Sequence, residues 1–351
     1  MTPREDNTMG EEARIKRQIF RALKDGPKDF WQLINLQDSH IIAFFNTLKR
    51  LEEKGEVVRE GDLYHLSKSV KDVHPLEPTI CSECSGTGIV IEGLFKEVEK
   101  RFLEITQKRP LPVGEFDQGF VRPQDTMRRM IFMYQRGDIE DQEIFILGDD
   151  DLLSIAIGLT GLAKRVTVVE IDKRLVSFIE EFSQKHTNNL ITVQQYNVLE
   201  PLPESEQGRY QVCVTDPVET HNGFKLFVTR CLSTLQGEGS AAYIGLTHLE
   251  ASLKKWHKYQ RMLNGAGLAI TDIIRDFAYY PEEENQWEVF YETYEIMRRE
   301  KLPIPQVDWY RSSFVRAEVV ERLTLPEIGE VSPDTLYFDE ESWATPLYPG
   351  N

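Results

Sequence analysis

The stretch IFILGDDDLLSIAIGLTGLAKRVTVVEID, residues 144–172, leaves few folds open to this chain. Residues 144–147 are an apolar run suited to a buried parallel strand. Gly148 lets the backbone turn sharply into a helix. Leu152, Ile155, Ala156 and Leu159 recur at helical spacing and present one apolar face to a sheet. Residues 166–169 are a second apolar, β-branched strand, closed by the acids Glu170 and Asp172. Strand, tight turn, helix and strand make the opening βαβ unit of a doubly wound fold, whose ligands bind at the carboxyl ends of the strands. An acid after the second strand suits the ribose hydroxyls of a nucleoside.

The first turn departs from the dinucleotide pattern. G-x-G-x-x-G would set backbone amides against a pyrophosphate. This chain has Gly148-Asp149-Asp150-Asp151 instead. Three carboxylates there suit a helix dipole, repel a diphosphate and attract a cation. The expected ligand is a nucleoside without phosphate beside a positive group. The plainer reading is one N-capping Asp with two solvated neighbours.

A chain of 351 residues accommodates two domains and a linker module. No apolar run reaches membrane length, and the opening MTPREDNTMGEEAR has no signal-peptide core, so a cytoplasmic location is expected. The net charge of −17 argues against non-specific nucleic-acid binding and fits cationic partners. Four cysteines, Cys81, Cys84, Cys213 and Cys231, do not make a secreted disulfide scaffold.

Residues 1–72 are expected to form a winged helix: three helices, the third capped by Asp38 or Ser39, then two strands around Glu60-Gly61-Asp62. Acidic and basic residues balance in this segment, whereas a DNA reader usually shows a basic face, so dimerisation or packing is the favoured role. Residues 73–138 read as a linker and helical module. Within it, Cys81-Ser-Glu-Cys84 is half of a four-thiolate zinc site or a redox pair, with zinc left open. Asp117 lies in a polar loop with aromatic neighbours. Residues 139–325 are expected to be the Rossmann-like domain, a parallel sheet with helices on both faces. Its third strand ends at Asn197, placed for a base edge or ribose, and its fourth at Asp216-Pro217. Two further strands are expected over 268–274 and 313–320. The acidic tail, residues 326–351, is either disordered or a lid over a cationic substrate.

Asp216-Pro217-Val218-Glu219 stands where amine-alkylating enzymes carry a D/N-P-P-aromatic turn, which accepts hydrogen bonds from the amine and aims its lone pair. Glu219 adds charge, pointing to a polycation rather than a nucleobase. A sulfonium nucleoside would sit over Glu170 and Asn197. A polyamine would sit among Asp149, Asp150, Asp151, Asp216, Glu219 and Asp117. A carboxylate on the attacking nitrogen can take its proton as general base, and clustered acids raise one another's pKa.

GDDD followed by L-x-S-x-A, with VEID, TDPVE, the EFDQ loop, CSEC and the DEE tail, resembles the branched-chain polyamine synthases, or N(4)-bis(aminopropyl)spermidine synthases, over residues 79–345. The resemblance implies a fold of the class I methyltransferase and aminopropyltransferase type. It implies transfer of aminopropyl groups from decarboxylated S-adenosylmethionine to the central secondary amine of spermidine, with 5′-methylthioadenosine leaving. It implies no resident cofactor, that donor being a cosubstrate. It implies Asp150 as the catalytic aspartate, Glu170 at the ribose, and Asp216-Pro217 with Glu219 holding the amine. Asp117, Asp149 and Asp151 are placed with the polyamine, and Gly148, Asp172, Asn197 and Pro217 with the nucleoside. Val218 departs from the D-P-P-E expected there. The family also implies a homodimer. Two other readings stand beside it: an S-adenosylmethionine-dependent amino-group methyltransferase, and a winged-helix regulator that senses a polyamine.

Overall fold

The computed structural model describes residues 8–75, 77 and 79–345, so the first seven residues and tail residues 346–351 lie outside the described residues. Three helices, α1 (Thr8–Lys24), α2 (Phe30–Ile34) and α3 (Ile41–Glu53), precede an antiparallel hairpin of β1 (Val57–Glu60) and β2 (Leu63–Leu66). This is the element order expected of a winged helix. Asp29 caps α2 through a capping box with Gln32. The expected cap of α3 is corrected: His40 holds that position and makes no side-chain cap bond. Asp38 and Ser39 bind the Arg14 guanidinium instead. The start of α3 docks on the rest of the chain, the Ile41 N–H donating to Leu249 O at 3.0 Å.

Helices α4 (Leu94–Thr106) and α5 (Pro123–Gln135) lead into the sheet. Its elements are β3 (Glu143–Leu147), α6 (Leu153–Thr160), β4 (Arg165–Glu170), α7 (Lys173–His186), β5 (Ile191–Gln195), β6 (Val212–Thr215), α8 (His221–Thr234), β7 (Ala241–Leu246), α9 (Leu253–Gly265) and β8 (Leu268–Tyr279). Short helices α10 (Glu282–Asn285) and α11 (Glu295–Arg299) precede β9 (Arg311–Val319), and α12 (Pro333–Tyr337) lies in the tail. The strand order is β5-β4-β3-β6-β7-β9-β8. Alternation along β3 serves both faces: Ile144 and Ile146 enter one apolar core, Phe145 and Leu147 the other. Cys213 and Cys231 are buried in the second core.

The sheet is not wholly parallel. β9 runs antiparallel to both β7 and β8. The reason lies in the connection over residues 280–310. It does not cross a sheet face as a helix, which a parallel neighbour would require. It folds over the carboxyl end of the sheet and returns beside its own strand. The third strand also stops at Gln195, two residues before Asn197.

The amino-terminal module grips this connection. Trp31 is fully buried, packs on Trp309 with ring centroids 4.5 Å apart, and donates Nε1–H to Pro303 O at 2.6 Å. Asn35 donates to Asp308 O at 2.9 Å. Arg59 and Lys49 both pair with Glu300, at 2.6 and 2.7 Å. Among the described residues no helix is long and apolar enough to cross a membrane. Replacing Trp31 by Ala removes this anchor and leaves a cavity. Urea unfolding is expected to show a loss of about 3–5 kcal/mol, with a fall in activity in excess of the unfolded fraction.

Candidate active site

An open cavity of about 1190 Å³ lies at the carboxyl ends of β3, β4, β6 and β7. Gly148 has φ +76 and turns the chain out of β3. Asp150 follows on the cavity wall. Its Oδ2 accepts the Gly119 N–H at 3.1 Å, so the loop after Asp117 fixes the carboxylate. Glu170, at the end of β4, accepts two backbone N–H groups, from Asp149 and Asp172, each at 2.9 Å. Asp216 ends β6. Gly245 on neighbouring β7 makes room for it, since a Cβ there would lie 2.0 Å from Asp216 Oδ1. Glu219 accepts the Thr247 N–H at 3.2 Å.

The structure brings together Asp117, Gly148, Asp150, Glu170, Asp216, Pro217 and Glu219 as cavity lining. Four other predicted residues fall outside it. The Asp149 carboxyl is buried and accepts the Ser154 N–H at 3.3 Å, but Leu152 holds the N-cap of α6, so the plainer reading of an N-capping Asp with two solvated neighbours is corrected. Asp151 pairs with Arg129 at 2.8 Å and accepts the Val121 N–H at 2.7 Å. Asp172 caps α7 and pairs with Arg174. Asn197 turns back on the Leu199 N–H at 3.0 Å. None of these four side chains is part of the cavity lining.

Sequence reasoning missed Glu250, Arg129 and an aromatic group. Glu250 is buried on the lining and accepts from Tyr310 Oη at 2.8 Å, Ala344 N–H at 3.1 Å and Thr345 Oγ1 at 2.6 Å. Its place just beyond β7, at a carboxyl strand end, was a readable signal. Arg129 lies on α5 and bridges Asp151 and Asp216, at 2.8 and 2.6 Å. Nothing in its sequence neighbourhood marks it. Tyr280, Trp287, Tyr294 and Tyr310 enter from the β8–β9 connection.

The tail is packed through residue 345. Tyr337 and Ala344 line the cavity. Two of its acids turn inward, Asp339 meeting Lys255 Nζ at 2.8 Å and Glu341 at 3.6 Å, while Glu340 is exposed. Cys81 is exposed and Cys84 buried, away from the cavity lining. Among the described residues no group of three His, Cys, Asp or Glu is placed to hold a metal.

Among the described residues, six carboxylates and no basic side chain line the cavity: Asp117, Asp150, Glu170, Asp216, Glu219 and Glu250. Burial pushes the Asp150 carboxyl well above its usual pKa, aided by the charges of Asp151, Glu170 and Asp216. Burial, then Glu250 and Asp117, do the same to Glu219, and burial with Glu250 does so to Asp117. Burial also raises Glu170 and Glu250. Such a set is a receptor for a multivalent cation, which restores the ionised forms as it binds.

Sheet order and strand-end cavity define the class: a Rossmann-like α/β protein with an acidic ligand cavity at the carboxyl ends of its parallel strands. The family model for the branched-chain polyamine synthase A C-terminal domain matches residues 97–344, and the chain belongs to that family. It is 36% identical to an N(4)-bis(aminopropyl)spermidine synthase of Thermococcus kodakarensis, over 90% of this chain and 91% of that one. It is 35% identical to the protein of that name from Thermus thermophilus, over 85% of each. A crystal structure of a Thermus thermophilus branched-chain polyamine synthase mutein, in complex with N4-aminopropylspermidine and 5′-methylthioadenosine, superposes with a TM-score of 0.85 at 35% identity, covering 94% of this chain and 92% of that chain.

Raised carboxyl pKa values fix the sign of a pH dependence. Between the ordinary value of about 4 and the raised values, the folded chain binds more protons than the unfolded one. Stability of the unliganded protein therefore falls as pH rises through that window. A polyamine offsets the loss. In thermal scans from pH 5 to pH 8 the stabilisation given by spermidine with methylthioadenosine is expected to grow with pH.

Proposed function

We propose that this protein transfers aminopropyl groups from decarboxylated S-adenosylmethionine to the central nitrogen of spermidine, giving N(4)-bis(aminopropyl)spermidine and 5′-methylthioadenosine. One observation carries the reading: among the described residues, six acids and no basic side chain surround a strand-end cavity in a member of this family. The donor ends in an ammonium group, where S-adenosylmethionine also carries a carboxylate. An acidic cavity favours the former, and with it aminopropyl over methyl transfer.

Glu170 receives the ribose hydroxyls, with Gly148 and Pro217 beside the nucleoside. Asp216, Glu219, Glu250 and Asp117 hold the ammonium groups of spermidine and set the reach of its central nitrogen. Asp150 accepts the proton of that nitrogen, and the burial that raises its pKa makes it a stronger base than an exposed carboxylate. The nitrogen lone pair attacks the aminopropyl carbon, the carbon–sulfur bond breaks, and its electron pair stays on sulfur. Asp149 and Asp151 support this wall rather than touch the amine. The tail closes the cavity over the polyamine through Tyr337 and Ala344. A homodimer, implied by resemblance alone, and the cytoplasmic location expected from the sequence complete the proposal.

Asp150→Asn is expected to lower kcat by about 10²- to 10⁴-fold while methylthioadenosine affinity changes little. Mass spectrometry of products from spermidine and the decarboxylated donor, with calorimetry of methylthioadenosine binding, checks both. Unchanged turnover removes Asp150 from the chemistry.

A further inference from the structure

Three aromatic side chains from the β8–β9 connection stand beside the cavity acids: Tyr280, Trp287 and Tyr310. The Tyr280 and Trp287 rings lie 6.0 Å apart between centroids, with planes 24° apart. Tyr310 is nearly perpendicular to both, 5.2 Å from Tyr280 at 88° and 5.7 Å from Trp287 at 83°. The three rings pack against one another to form an aromatic corner in the cavity wall. Each ring is held in place. Tyr310 Oη donates to Glu250, and Tyr280 Oη reaches Ser312 Oγ at 3.4 Å. Trp287 lies against the Gly119 backbone, where a Cβ would come within 2.5 Å of its ring. The N–H of that same glycine binds Asp150.

The two transfers differ in where charge ends. In the first, a secondary amine forms a carbon–nitrogen bond, the donor's carbon–sulfur bond breaks, and the nitrogen's proton leaves to a base. In the second, the tertiary amine's lone pair forms the new bond and the electron pair of the broken bond again stays on sulfur. Positive charge passes from sulfur to nitrogen, and no proton can follow. The product nitrogen carries four carbons and no N–H, so no carboxylate can accept a hydrogen bond from it. Aromatic faces attract such an ion without needing a donor hydrogen.

Resting on the aminopropyl-transfer reading, the geometry points to a permanent-cation site: the Tyr280–Trp287–Tyr310 corner receives the quaternary ammonium formed in the second transfer and favours that transfer over release of the singly extended product.

The test compares transfer rates from spermidine and from N4-aminopropylspermidine with one donor, in wild type, Trp287→Leu and Trp287→Phe. Trp287→Leu is expected to lower the second transfer about tenfold more than the first, and Trp287→Phe to keep most of the difference. Calorimetry with methylthioadenosine is expected to show Trp287→Leu losing affinity for the quaternary product by about tenfold more than for the tertiary amine. Equal losses in both transfers, or for both ligands, overturn the proposal and leave the ring to packing or to the adenine. Should Trp287→Leu fail to fold, Tyr280→Leu carries the same comparison. A wild-type protein that makes no branched product from spermidine overturns the transferase reading instead.

Discussion

Mutual repulsion among carboxylates is the constraint around which the molecule is built. Acids at one end of a sheet cannot be gathered unless something holds each one. Backbone N–H groups do most of this: Gly119 for Asp150, Asp149 and Asp172 for Glu170, Thr247 for Glu219, Ala344 for Glu250. Such donors stabilise an anion without bringing a mobile counter-charge into the cavity. The Arg129 guanidinium bridges two of the acids in this region, Asp151 behind the wall and Asp216 on it. It sits outside the lining and holds Asp216 through Oδ2.

The parts of the fold set by local pattern were legible before the structure. The βαβ unit over 144–172, the five parallel strands and the helix–hairpin module all follow from period and turn residues. The reversal of β9 was not, because an apolar strand has no direction in its sequence. In the site, position at a strand's carboxyl end was enough to select Glu170 and Asp216. The aspartate run was harder. Three consecutive residues in a tight turn point three ways, and only Asp150 faces the cavity. Asp149 satisfies a helix start and Asp151 a buried arginine. Arg129 and the aromatic corner come from segments far away in sequence, and only folding makes them neighbours.

The amino-terminal module is tied into this architecture rather than hung beside it. Its apolar core is continuous with one face of the sheet. Through Trp31, Asn35 and the Glu300 pairings it bears on the segment that supplies the cavity's aromatic wall. Burial of Ile41, Phe44, Leu48 and Leu51 turns one face of α3 to that shared interior.

The reversed strand has a consequence for how such proteins diversify. A hairpin connection can change length or content without disturbing strand order, so residues 280–310 behave as an exchangeable cassette on a constant sheet. Its outer surface, however, is shaped to the amino-terminal helices. Recombination between relatives therefore has to carry both segments at once, and a chimera that swaps only one would place its aromatic wall against a mismatched brace.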